Sequence, residues 1–200
     1  MPKRHIVRCE RWVRIIRKQE IAASLPPDVY QFFALRSSVR QFADGEIPEE
    51  IIREAVRIAQ RAPSACNRQS CRLHYSTDQA VVAKVVALQD GAGGFGEHAA
   101  AVFIVTSELG SFNHAGERNQ GFVDGGIFSM TFALGIHALG YGTCFLNWCA
   151  TAREDQEFRR AFKIPESELI VAFLVGGCLR DEFAVAKSPR LPVDEVMCRL

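Results

Sequence analysis

Three short segments, far apart in the chain, carry side chains suited to an anion or a flat polar ring: Arg36-Ser37-Ser38-Val39-Arg40, Ala62-Pro63-Ser64-Ala65-Cys66-Asn67-Arg68-Gln69 and Lys187-Ser188-Pro189-Arg190. The outer two bring guanidinium and ammonium groups, positive charges with several N–H donors each, which match the oxygens of a phosphate. The middle one brings carboxamides on a Pro-Ser turn. Asn67 both donates and accepts, as the alternating edge of a heterocycle requires. Arg36 and Arg40 flank two serines, so an irregular turn there can converge both guanidiniums and the hydroxyls on one ligand. Taken singly, the outer segments also read as solvated basic turns and the middle one as an ordinary turn. Taken together, they imply a phosphorylated heterocycle.

The elements that must position these segments follow from periodicity. Pro26-Pro27-Asp28 closes a basic segment, Met1 to Leu25, in which Ile6, Trp12, Val13, Ile15 and Ile16 could form an apolar helical stripe. That segment reads as a packed or solvated extension, or else as a surface anchor or partner-binding helix. A helix bearing Val29, Phe32, Phe33 and Leu35 then leads directly to Arg36. Ile47-Pro48-Glu49-Glu50 starts the next helix, with proline early and acids in the first turn. Its apolar residues Ile51, Ile52, Ala55, Val56 and Ala59 face inward, and Pro63 ends it. Further elements are strands over 71–77, 101–107, 143–147 and 169–175, and helices over 78–88, about 122–139 and 152–162. Helices and strands intermix without a clean βαβ repeat, and no internal repeat is visible.

Composition sets the frame. A chain of 200 residues with 48% apolar composition has the core of one ordered domain. A net charge of +1 gives no global attraction to nucleic acid or to acidic polymers, so charge recognition must be local. The 7 cysteines include no C-x-x-C pair and suit a reducing compartment, with Cys144 and Cys149 expected as core packing. The N-terminus lacks an uninterrupted apolar stretch, and the apolar run from Ile127 to Leu139 is short for a membrane span of ~20 residues. The expectation is a cytoplasmic protein with no integral membrane segment. The histidines His5, His74, His98, His114 and His137 lack metal-ligand spacing, and no metal is expected. Gly91-Ala92-Gly93-Gly94-Phe95-Gly96 matches G-x-G-x-x-G, but it follows a helical run and precedes a strand. That is the reverse of a dinucleotide fingerprint, so a loop is expected.

In order, spacing and flanking sequence, the three polar segments resemble the FMN-dependent nitroreductase family. Its members show an Arg-Ser-x-Arg-x-Phe element near the start, Ala-Pro-Ser-x-x-Asn-x-Gln about a helix later, and Ser-Pro-Arg near the end. The resemblance runs from about Phe33 to the C-terminus. It implies an α+β, three-layer sandwich with an antiparallel-rich central sheet, residues 26–200 forming the FMN-binding domain and 1–25 an extension. It also implies a homodimer whose long apolar helix packs across the subunit boundary.

By that resemblance Arg36, Ser37 and Ser38 hold the phosphate or ribityl chain, and Arg40 approaches the pyrimidine N1/O2 edge. Pro63, Ser64, Ala65, Asn67 and Gln69 form the pyrimidine-edge element. Lys187 and Arg190 reach the phosphate. Backbone N–H groups at Leu146, Asn147 and Trp148 face flavin N5 and O4. Two departures stand out: Gln69-Ser70-Cys71 where relatives often have Gln-Pro-Trp, and Gly176-Gly177-Cys178 where they often have Gly-Tyr-Pro.

The implied activity is a ping-pong NAD(P)H oxidoreductase in which FMN itself carries the hydride to a nitroaromatic, quinone or other small acceptor, with no catalytic side chain. A flavin sensor or storage protein, a specialised biosynthetic flavin dehydrogenase and a flavin-independent interaction protein are the alternatives. The acceptor, the choice of NADH or NADPH, and the subunit that supplies the Asn67 segment stay open.

Overall fold

The computed structural model describes residues 16–25 and 27–200. Ile6, Trp12, Val13 and Ile15 of the expected apolar stripe lie outside the described residues. The chain divides into two compact units, Met1–Arg36 and Ser37–Leu200. In the first, helices α1 (Lys18–Ala23) and α2 (Val29–Leu35) are short. The Asp28 carboxylate caps α2 by accepting from the Gln31 N–H at 2.7 Å, and Arg36 is the extended residue that ends it.

The second unit is built on a sheet of five strands: β1 (Phe42–Ala43), β2 (Cys71–Ser76), β3 (Ala101–Glu108), β4 (Tyr141–Leu146) and β5 (Glu168–Leu179). Every ladder is antiparallel, and β5 is the hub, pairing with β1, β3 and β4. Val175 pairs with both Val102 and Cys144, so β3 and β4 flank β5 on opposite sides. Its two further helical layers come from α3 (Glu49–Ala59) and α5 (Gln120–Ala138), and from α4 (Gln79–Gln89) and α6 (Ala152–Phe162). A last short helix, α7 (Val193–Val196), lies near the C-terminus.

Period-two alternation on β3 assigns the faces. Ala101, Phe103 and Val105 join Ile52 and Ala55 of α3 and Phe132, Ala133 and Ile136 of α5 in one core. Val102 and Ile104 join Val82 and Val85 of α4 and Phe158 of α6 in the other. β3 is buried over 101–107, as expected of a central strand covered on both faces. Helices α3 and α5 approach closely at Gly135, where a Cβ would stand 3.2 Å from the Ala55 backbone. Helix α6 starts at a reciprocal cap: the Thr151 hydroxyl accepts from the Glu154 N–H, and the Glu154 carboxylate accepts from the Thr151 N–H at 2.7 Å. Because this cap ends the loop leaving β4, Thr151→Ala is expected to lower stability by about 1 kcal/mol, measurable as a shifted urea midpoint.

Most predicted elements are found within two residues, and the 152–162 helix matches at both ends. β5 departs most, running four residues past the predicted Val175. The glycine pair beyond that end stays in the ladder, Gly176 against Thr143 and Gly177 against Gly142. Phe42 explains the second glycine, since a Cβ at Gly177 would meet its ring at 2.7 Å. A bulky residue at this position, as in the Gly-Tyr-Pro of relatives, would require Phe42 to move.

Candidate functional site

Ser38 and Val39 of the first polar segment lie along the edge of β4 away from β5. Ser38 bridges in parallel to Thr143, and the Val39 N–H donates to the Thr143 carbonyl at 2.9 Å. Val39 is buried, which turns Ser38 and Arg40 to the other side of the extended chain. The Arg40 guanidinium sits 5.6 Å from the centre of the Phe95 ring in the glycine-rich loop. Burial pushes the Cys144 thiol up, opposed by the Arg40 charge and by Ser38. Cys144 is thus packing, as the sequence implies. Cys149 is not: it is exposed in the loop beyond β4, where no strand turns it inward.

At the end of β4, Leu146 is buried, so only its backbone is available to a ligand. Asn147 is exposed. The Trp148 indole N–H donates to Asp155 at 2.8 Å, and its ring packs on Phe158 and Phe173 at centroid distances of 5.1 and 5.0 Å. Burial raises the Asp155 carboxyl, but hydrogen bonds from Arg159 and Trp148 outweigh it and hold the group below its ordinary range.

The second polar segment is a short 3-10 turn, Ala65–Asn67, on the way into β2. Cys66, Asn67 and Gln69 have φ values of 51°, 55° and 51°, a left-handed conformation unfavourable for residues with side chains. Three contacts hold it. The Ala65 N–H donates to Asp124 of α5 at 3.1 Å, and the Gln69 N–H donates to the Ser64 hydroxyl at 3.0 Å. Arg68 pairs with Glu117 at 2.6 Å, linking the turn to the 109–119 loop. Ser64 therefore organises the turn, and the Gln69 carboxamide folds back to the Asn67 carbonyl at 3.5 Å. The Asn67 carboxamide has no partner among the described residues. Asp124 was missed by sequence reasoning, although a signal existed: it is the one acid in a largely apolar helix, 2% exposed, and a buried carboxylate requires donors. Gln120 supplies a second, at 2.8 Å.

Lys187 and Arg190 are exposed after β5, and among the described residues Arg190 donates only to the Ser188 carbonyl at 3.0 Å. None of Arg40, Lys187 and Arg190 pairs with a carboxylate among the described residues. Arg36 belongs to the other unit, where it ends α2, and Ser37 opens the second unit.

Within one chain the segments do not all converge. Thr143, beside Ser38, is level with Gly176 of β5, whereas Cys71, just after the Asn67 turn, is level with Ser107 and Leu169. Seven residues of strand separate the two levels, roughly 23 Å, and β5 and β3 intervene between β4 and β2. The cavity beside the turn, lined by Pro63, Ser64, Gln69 and Asp124, has a volume of ≈ 170 Å³. That is below the roughly 300–1,000 Å³ of small-molecule sites. Helix α5 leaves Phe122, Val123, Ile127 and Met130 exposed.

A sequence model described as the Nitroreductase family matches residues 34–89 and 74–177, together well over half of the chain. The chain belongs to the nitroreductase family. Solved structures share the fold. They include NfrA2 of B. megaterium, with a TM-score of 0.74 and 23% identity over 84% of this chain and 72% of that one. An FMN-dependent nitroreductase of Clostridium difficile aligns with a TM-score of 0.70 and 19% identity over 83% and 96% of the two chains. An NADPH:FMN oxidoreductase of Vibrio harveyi, complexed with NAD+, aligns with a TM-score of 0.72 and 18% identity over 84% and 75%. No curated protein matches the chain by sequence. Among the described residues no helix is long and apolar enough to cross a membrane, and no group of three or more His, Cys, Asp and Glu side chains could hold a metal ion.

Proposed function

We propose that this nitroreductase-family chain is an FMN-dependent NAD(P)H oxidoreductase acting on a small, flat electron acceptor such as a nitroaromatic or a quinone. The observation that carries the reading is the set of cations without carboxylate partners, Arg40, Lys187 and Arg190, in a family chain that also presents the free Asn67 carboxamide. A dianionic phosphate suits such cations, and the pyrimidine edge of a flavin suits an amide that donates and accepts. Ser37, Ser38, Lys187 and Arg190 serve the phosphate end. Arg40 serves the N1/O2 edge, where a positive charge favours the reduced, anionic ring. Bound FMN supplies hydride acceptance from NADH or NADPH and hydride donation to the second substrate, in a ping-pong cycle.

The separation within one sheet bears on assembly. Arg40 at the β4 edge and Asn67 before β2 cannot meet the same pyrimidine edge from a single chain. A second copy that covers the exposed α5 face and delivers its own 63–69 turn to the β4 edge completes each site. Such a homodimer also buries Phe122, Val123, Ile127 and Met130, which a monomer leaves in water.

The test is an anaerobic spectrum of the FMN-loaded protein. NADH or NADPH should bleach the oxidised flavin bands, and a quinone or nitroaromatic should restore them. A flavin that stays oxidised with both nucleotides rejects the oxidoreductase reading and leaves a binding protein.

A further inference from the structure

Gln89, the last residue of α4, is 8% exposed, and its carboxamide is used at both ends. Nε2 donates to the Asn147 carbonyl at 2.6 Å, and Oε1 accepts from the Gly91 N–H at 2.8 Å. Only one orientation of the amide satisfies both, since a carbonyl can only accept and an N–H can only donate. The local chain is shaped for this. Asp90 takes a left-handed conformation, φ 58°, which turns the backbone back on the helix end. Gly91 then lies so close that a Cβ would stand 2.8 Å from Nε2 and 2.9 Å from Oε1. The first glycine of the G-x-G-x-x-G stretch thereby has a physical reason unrelated to dinucleotides.

The Asn147 carbonyl and the Trp148 N–H belong to one planar trans peptide and point in opposite directions. Holding the carbonyl toward Gln89 therefore fixes the N–H on the far side. The other end of the same peptide is held too, because the Trp148 side chain is tied to Asp155 and packed on Phe158 and Phe173. The Trp148 N–H itself donates to no group among the described residues.

We infer that Gln89 is a positioning residue that aims the Trp148 N–H at the N5/O4 edge of the flavin. The inference rests on the FMN reading proposed above. A fixed donor there stabilises the reduced ring more than the oxidised one through O4, toward which negative charge builds as N5 takes up the hydride and becomes an N–H.

The experiment compares wild type, Gln89→Glu and Gln89→Leu, each reconstituted with FMN. Gln89→Glu keeps an acceptor for the Gly91 N–H but loses the donor to Asn147; Gln89→Leu loses both. Both variants should still bind oxidised FMN within about tenfold of wild type. Each should favour reduced flavin about tenfold less, a two-electron potential about 30 mV lower. Melting of the flavin-free variants checks the fold. In wild type alone, the Trp148 amide should gain hydrogen-exchange protection when FMN binds. A wild-type potential in Gln89→Glu, a folded variant that retains no flavin at all, or a Trp148 amide indifferent to FMN each overturns the inference while leaving FMN binding by the wild type intact. A wild type that takes up no FMN overturns the functional reading and this inference with it.

Discussion

Asp124→Ala is expected to weaken FMN binding on the order of 100-fold, equivalent to about 2.7 kcal/mol. The carboxylate is the buried acceptor for the Ala65 N–H and for Gln120. Without it the turn loses its anchor to α5. Cys66, Asn67 and Gln69 hold left-handed conformations that cost about 1 to 2 kcal/mol each and persist only while the surroundings enforce them. The released turn should relax toward ordinary φ values and withdraw the Asn67 carboxamide from its bound geometry. Apo-protein stability should fall by roughly 1 to 3 kcal/mol for the unpaired buried donor. Asp124→Asn keeps an oxygen for the Ala65 N–H and should stay within about tenfold of wild type in affinity, since one net hydrogen bond is worth about 1 kcal/mol. Fluorescence-quenching titration with FMN and urea unfolding of the apo-protein measure the two effects separately. Equal affinities for wild type and Asp124→Ala would remove Asp124 from this role.

The second large effect concerns stability in acid. Glu168, 8% exposed at the start of β5, accepts from the Thr106 hydroxyl at 2.5 Å and from the His74 ring N–H at 2.6 Å. These bonds span three strands at the β3 irregularity between Val105 and Thr106. Burial pushes the Glu168 carboxyl up, but the bonds from Thr106 and His74, aided by the His74 and Arg72 charges, outweigh it and hold the group below its ordinary value. A lowered folded value means that the ionised carboxylate stabilises the fold. That contribution is fully present above the unfolded value of about 4.3 and is lost as pH falls through the lower folded value. Wild type should therefore lose stability progressively below about pH 4.3, while Glu168→Gln, which cannot titrate, should show a shallower loss over the same window. At pH 7, Glu168→Ala should cost about 3 kcal/mol, because it strands the fully buried Thr106 hydroxyl and removes a charged acceptor. Urea midpoints between pH 3 and 7, read by tryptophan fluorescence, test both statements. Parallel pH curves for wild type and Glu168→Gln would show that Glu168 does not govern the acid limb.

The residues separate what local sequence reveals from what it hides. Helix α6 was legible at both ends because its cap, Thr151 with Glu154, and its apolar period lie within one short stretch. The three-layer sandwich followed from the family resemblance, and the alternation on β3 shows its physical basis. The polar segments were visible as residue types, yet their distribution along the sheet was not. Only the register, with Thr143 opposite Gly176 and Leu169 opposite Ser107, reveals that Arg40 and Asn67 lie at different levels and edges. The apolar run that marks β5 in the sequence stops before Gly176, and the reason the strand continues through Gly177, its packing against the Phe42 ring, lies far away in sequence. Gln89 and Asp124 escaped for the same reason. Their partners, Asn147 and Ala65, are 58 and 59 residues distant, and no local pattern encodes a contact at that range. Asp124 at least announces itself as a lone acid on an apolar helix; Gln89 looks like any polar residue at a helix end.

In the function proposed above, cations of the polypeptide clamp the phosphate of a flavin mononucleotide. Parallel binding titrations of the apo-protein with FMN and with riboflavin, which share the ring and differ in the phosphate, test it most directly. FMN is expected to bind at least about 100-fold tighter, a difference of about 2.7 kcal/mol, that narrows as salt screens the charges. Equal affinity for the two, or uptake of neither, would contradict it.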